Sequence, residues 1–224
     1  MYVLHYAPDN ASVIVRLFCE EAGLAYRTEL VDRSIGVHES AGYRRLNPAG
    51  LIPALETPEG PIAETGAILL WLTDRHGLWP EPALKGPFLQ WLFFLSNTAH
   101  ADLRRLFYPA YYAPPGSEAV HHDMAAARMQ MHFGLIERAL TEHPAIFAPP
   151  FALAPYVAAL LRWSALYPAG GTGWFALNRW PALLALAVAM DARPATARVA
   201  LAEGLGARPF STPVHATPSE GSVL

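Results

Sequence analysis

Two adjacent residues, Glu64 and Thr65, carry the clearest chemical signal in this sequence. They stand just before the apolar run Ala67 to Leu72. A helix starting at Glu64 or Thr65 aims its unsatisfied N–H groups and positive dipole end forward, which makes an anion site. Upstream, Leu51-Ile52-Pro53-Ala54-Leu55 places a proline inside an apolar run. Pro53 cannot donate to a strand ladder, so it fits the start of a strand, and fits best with a cis Ile52–Pro53 bond. A cis bend turns the backbone before Pro53 away from the sheet and toward a ligand. The stretch Tyr6 to Ser12 sets two hydroxyls and the Asn10 amide at a strand end and a helix start. Cys19, beside Phe18 on an apolar helix face, reads as an inert core thiol rather than a nucleophile. The nine histidines show no metal-ligand spacing. His121 and His122 are adjacent and point apart on a helix, His5 and His38 are isolated, and no metal is assigned.

These residues need elements to hold them. Tyr2 to Tyr6 reads as a strand, followed by the loop Ala7-Pro8-Asp9-Asn10. From Ser12 the pattern is helical, with Val13, Ile14, Leu17, Phe18 and Ala22 on one face, Asn10 or Ser12 as cap, and Gly23 as stop. Tyr26 to Asp32 is a second strand, and 33–46 is irregular. The Pro53 strand, a turn over Thr57-Pro58-Glu59-Gly60 and the strand Pro61-Ile62-Ala63 form a hairpin that leads into the Glu64 helix. The order βαβ-ββα predicts a four-stranded thioredoxin-like sheet. That α/β domain spans 1–77, a proline-rich linker 78–86 follows, and an all-α bundle occupies 87–208. Its helices are Phe88–Tyr108, Ser117–Leu140 with Ser117 as cap, Pro155–Tyr167, Pro181–Asp191 and Pro194–Glu203. Residues 209–224 lack periodicity and read as a loose tail.

With 224 residues, 53% of them apolar and 16% charged, the chain has the length and composition of a globular protein with one or two domains. The net charge of −3 gives no electrostatic case for nucleic acid or an anionic membrane. No apolar run approaches the roughly 18 residues that span a bilayer. The N-terminus lacks a basic secretory signal, and the single cysteine excludes an internal disulfide. These features point to the cytoplasm.

Taken in order, the proline-bent strand, the hairpin and the acidic–hydroxyl pair at a helix start resemble the glutathione half of the cytosolic glutathione transferases, in particular bacterial, beta-like members. The second half is similar as well. The run FALAPYVAALLRWSALYP from Phe151 resembles the family's buried helix, including its Trp163-Ser164 step, and Met190 to Pro194 resembles the closing helix pair. The resemblance covers roughly residues 1 to 205. One departure is that the family's Ser/Thr-x-x-Asp capping box is replaced by Ala152 and Pro155. Losing a cap costs about 0.5–2 kcal/mol. Compensation elsewhere is expected, for example from dense apolar packing of that helix.

The resemblance implies glutathione as co-substrate, attack of its thiolate on a small apolar electrophile, a detoxifying role and a homodimer. It implies that the backbone at Ile52, before Pro53, pairs with the cysteinyl part, and that Glu64 and Thr65 hold the γ-glutamyl end. Arg33 or His38 would meet the glycyl carboxylate. Subfamilies stabilise the thiolate with Tyr, Ser or Cys. The cysteine position falls on Ala11, which leaves Ser12 as the first choice of donor, Tyr6 as the second, and the Asn10 amide as a third. Arg104 or Arg105, beside His100, and the aromatic run Phe107 to Tyr112, including Tyr108 and Tyr111, would border the electrophile pocket. Each has a plainer alternative: an N-cap for Ser12, a core or rim side chain for Tyr6, solvated charges for Arg33 and His38, a salt bridge for Arg104 or Arg105, and bundle core for the aromatics. Two further readings of the whole stand beside this one. One is another glutathione-dependent reaction, such as isomerisation, dehalogenation or peroxide reduction. The other is a non-catalytic binding or assembly module, suggested by the Asp9-Asn10-Ala11 loop.

Overall fold

The computed structural model describes residues 1–223. Its first half runs β1 (Tyr2–Tyr6), α1 (Ser12–Glu21), β2 (Tyr26–Leu30), the short α2 (Ala41–Arg44), β3 (Ala54–Thr57), β4 (Gly60–Ala63) and α3 (Thr65–Arg75). The sheet order is β2-β1-β3-β4. β1 runs parallel to β2, Tyr2 opposite Tyr26 and Tyr6 opposite Leu30, and antiparallel to β3, His5 opposite Ala54. This is the thioredoxin-like order expected from the sequence. The Ile52–Pro53 bond is cis, and the strand starts directly after it. In the hairpin turn, Thr57 Oγ1 accepts the Glu59 N–H at 3.0 Å and donates to the Gly60 carbonyl at 2.8 Å.

The second half holds α4 (Lys85–Phe93), α5 (His100–Phe107), α6 (Glu118–Glu142), α7 (Leu153–Leu166), α8 (Pro181–Asp191) and α9 (Pro194–Glu203). The single long helix expected over Phe88–Tyr108 is interrupted. Phe94–Ala99 is wound as a π-helix between α4 and α5. This wide turn faces α3, where a Cβ added to Gly66 would lie 2.9 Å from Ser96 Oγ. One core joins both halves. Leu4, Val13, Ile14, Leu17 and Phe18 of the first pack in the same cluster as Leu92, Leu103, Phe133 and Leu160 of the second. α1 is therefore buried on nearly all sides, between the sheet and helices α7 and α9.

Two capping expectations are corrected. Neither Asn10 nor Ser12 caps α1; Ala11 stands at that position, because Asn10 Oδ1 takes the Ala11 N–H and Ser12 turns back onto Ala7. Ser117 does not cap α6, since its hydroxyl donates to Pro114 while Glu118 takes the Gly116 N–H. At α7, as expected, among the described residues no side chain replaces the lost capping box, and residues Ala152 to Ser164 are all buried. The tail is also not loose. Asp191 accepts the N–H groups of Phe210 and Ser211 at 2.9 and 3.0 Å, and Phe210 is buried.

Candidate functional site

The loop after β1 is tied down by a buried carboxylate. Asp9, at φ 50, accepts Arg162 Nε and Nη2 at 2.8 Å each, Trp163 Nε1 at 2.9 Å and the Tyr167 hydroxyl at 2.8 Å. Both Asp9 and Arg162 side chains are fully buried. The Asp9 N–H in turn donates to Glu203 Oε2 at 3.0 Å, and Glu203 Oε1 takes Arg16 at 3.1 Å. Burial pushes the Glu203 carboxyl up to about 7, against the pull of Arg16 and the Asp9 N–H. Three helices of different domains thus fix where residues 6–12 lie.

Within that loop the predicted thiol-side groups separate. Ser12 is fully buried; its hydroxyl donates to the Ala7 carbonyl at 3.1 Å and accepts the Ala7 N–H at 3.3 Å. Its proton is therefore directed into the loop. Tyr6 ends β1 with its hydroxyl donating to Glu220 Oε1 at 2.5 Å and the Arg16 guanidinium 5.2 Å from its ring centre. Burial, then the hydrogen bond to Glu220, raises the Tyr6 phenol well above its usual range. Asn10 is half-buried, with Oδ1 on the Ala11 N–H. Cys19 is buried, and burial pushes its thiol up to about 12.

After the β3–β4 hairpin, Glu64 precedes α3 with φ 69, a left-handed backbone on a non-glycine residue. It is exposed, and among the described residues its carboxylate has no hydrogen-bond partner. Its charge acts on the Tyr156 hydroxyl, which pairs with His100 Nδ1 at 3.0 Å. Burial, with help from Arg104, pulls His100 down to about 4, so it is neutral at pH 7. Thr65 is buried at the first helical position. Ile52 is half-buried, and among the described residues neither its N–H nor its C=O has a hydrogen-bond partner. The preceding Leu51 carbonyl is held at 2.7 Å by both Tyr43 and Asn47.

Two of these contacts cross the domain junction. His100 lies 5.4 Å from the Trp163 ring, and Trp163 holds Asp9. Arg104 lies 5.7 Å over the Tyr108 ring, and the Tyr108 hydroxyl accepts Arg33 Nη2 at 3.3 Å. Tyr111 packs edge-on to Tyr108 at 6.0 Å yet is 79% exposed. His38 stands apart, half-buried, with Nε2 3.9 Å from Glu39. Sequence reasoning missed Asp9, Arg162 and Glu203. An arginine amid the apolar residues of α7 was the available signal, because a buried guanidinium needs a carboxylate.

With this geometry in place, residues 11–75 match the glutathione S-transferase N-terminal domain. The matched stretch lies within the first half of the chain. The chain is 36% identical over 103 residues to the disulfide-bond oxidoreductase YfcG of Escherichia coli, a match covering 42% of this chain and 48% of that one. It is 33% identical over 129 residues to a probable elongation factor 1-gamma 2 of Arabidopsis thaliana, covering 52% of this chain and 30% of that protein. The chain thus spans about a third to a half of the curated relatives it matches. In structure it resembles a glutathione transferase of Burkholderia graminis with two glutathione molecules bound per subunit. The TM-score is 0.71 at 26% identity, over 88% of this chain and 86% of that one. The glutathione transferase fold thus extends through the helical half.

Proposed function

We propose that this protein binds glutathione at its domain junction and stabilises the thiolate for attack on a small apolar electrophile. Glu64 carries the reading. A left-handed backbone costs a non-glycine residue about 1–3 kcal/mol, and here it presents an unpaired carboxylate beside a helix N-terminus. That arrangement suits an amino acid: the ammonium meets Glu64, and the carboxylate meets the free N–H groups at Thr65. On this reading the unpaired backbone of Ile52, before Pro53, takes the cysteinyl part. Arg33 or His38 takes the glycyl carboxylate. Tyr6 donates to the thiolate, with Asn10 as a second donor, and Ser12 holds the loop through Ala7 instead. Lowering a thiol by about two pKa units asks for roughly 2.7 kcal/mol, within reach of one hydroxyl donor and a helix dipole. Arg104, Tyr108 and Tyr111 border the electrophile side. The reading carries with it a cytoplasmic, detoxifying homodimer. The Burkholderia structure supports glutathione as the ligand.

A second reading, a non-catalytic binding or assembly module, draws on the match to elongation factor 1-gamma and on Tyr6 and Ser12 both being engaged within the chain. Turnover decides between them. The transferase reading expects glutathione consumption with at least one member of a broad electrophile panel, and a marked loss of kcat in Tyr6→Phe. Glutathione binding with no turnover across the panel favours the module. Disulfide chemistry, as the name of the YfcG relative states for that protein, would show as turnover with a disulfide only.

A further inference from the structure

Past Glu203 the chain returns to the first domain. Gly204 has a left-handed backbone (φ 67), and the Thr217 N–H donates to its carbonyl at 2.9 Å. A Cβ at Gly204 would collide with the Thr217 carbonyl, so the crossing requires glycine. Between these points the segment is anchored in the core. Phe210 is buried, and the Arg162 guanidinium donates to the carbonyls of Leu205, Pro209 and Val214 at 3.2, 3.2 and 3.0 Å. Beyond Thr217 the setting changes. Residues 218–223 lie across the first domain and are half-buried or exposed. The Glu220 carboxylate accepts the Tyr6 hydroxyl at 2.5 Å, and the Val223 carbonyl accepts Arg33 Nη1 at 3.1 Å. Gly221, at φ 72, sits against β2 and the Tyr6–Ser12 loop. A Cβ there would lie 2.7 Å from Leu30 Cδ1 and 3.4 Å from Pro8 Cδ.

We propose that residues 218–223 form a self-docking cover over the Tyr6–Arg33 side of the site, hinged after Thr217, which glutathione must displace. The proposal rests on the glutathione reading above. The cover presents the chemistry of the ligand it keeps out. A carboxylate oxygen accepts from Tyr6 where an anionic sulfur would, and a carbonyl oxygen accepts from Arg33 where a carboxylate would. The base of the segment is locked by Asp191 and Arg162, whereas its tip reaches polar groups at the rim. That division lets the tip leave without unfolding the base. A cover closed ten times as often as it is open raises the apparent dissociation constant about elevenfold.

The test uses the full chain throughout. Glu220→Ala removes the acceptor on Tyr6. Gly221→Val sets a branched side chain against Leu30 at a left-handed position. Amide hydrogen exchange over 217–223 reads release of the tip, and calorimetric titration reads glutathione affinity. Both variants should exchange faster there and bind glutathione about tenfold tighter. Glutathione should also speed tip exchange in the wild type, and a synthetic peptide of residues 217–223 should compete with glutathione on Gly221→Val. Faster exchange with wild-type affinity overturns the cover and leaves the glutathione reading standing. Unchanged exchange in both variants overturns the docking itself. If no form binds glutathione but Gly221→Val still binds the peptide, the glutathione reading fails and the tail stands as the groove's own ligand.

Discussion

Replacing Asp9 with alanine should unfold this protein more easily than almost any other single change. Asp9 and Arg162 are both fully buried, and the pair is bidentate at 2.8 Å. Removing one partner of such a pair costs about 3–5 kcal/mol, because the other charge is left uncompensated. Arg162 keeps three backbone carbonyls, which places this part near the lower end. Trp163 and Tyr167 also lose their acceptor, at about 1 kcal/mol each. The expected total is about 5 kcal/mol. At about 2–4 °C per kcal/mol for a chain of this size, the melting temperature should fall by about 10–20 °C. Urea and thermal unfolding followed by circular dichroism would measure it. Asp9→Ala combined with Arg162→Met should recover most of the loss, since apolar replacement of a buried pair is often neutral. A single-variant cost below about 1 kcal/mol, or a double variant no better than the worse single one, would refute the reasoning.

Three further outcomes follow from the same geometry. Glu203 is raised from 4.5 to about 7 in the fold by burial, so the folded state holds its proton where the unfolded chain has lost it. Its contribution is full below pH 4.5 and is lost as pH rises to about 7, about 3 kcal/mol by linkage; Glu203→Gln should flatten that slope in urea titrations at a series of pH values, and an unchanged slope would contradict it. Cys19, buried with its thiol raised to about 12, should resist iodoacetamide at pH 8 until the chain is unfolded, as mass spectrometry would record. In turnover assays Tyr6→Phe should lower kcat more than Ser12→Ala, whereas Ser12→Ala should cost stability through the lost Ala7 bonds; the reverse order would restore Ser12 as the thiolate donor.

The strand and helix order of the first domain was readable because each element has a local signature: apolar period, turn residues, a proline that cannot sit in a ladder. The Glu64–Thr65 helix start was legible for the same reason. What escaped was long-range. Asp9 and Arg162 are 153 positions apart, and no local pattern announces their pairing. Ser12 has the composition of a cap, yet a nearer carbonyl at Ala7 won its hydroxyl. The segment after Pro209 has no apolar period because side chains pack only part of it. Arg162 and Asp191 hold much of the rest by its backbone, which a hydropathy pattern cannot report. The π-helical turn at Phe94–Ala99, which brings Ser96 against Gly66 of α3, carries no local pattern that sets it off from the α-helical residues around it.

The central claim is that the junction between Glu64, Ile52 and Tyr6 holds glutathione. Calorimetric titration of glutathione into wild type and Glu64→Ala, side by side with a melting curve of each, tests it most directly. The account predicts micromolar-to-millimolar binding by the wild type and at least a tenfold weaker association in Glu64→Ala, with the variant folded and within about 1 kcal/mol of the wild type, since among the described residues the carboxylate has no hydrogen-bond partner to lose and only its interaction with the helix dipole goes. Equal affinity in both proteins, or no heat and no thermal stabilisation at several millimolar glutathione, would contradict it.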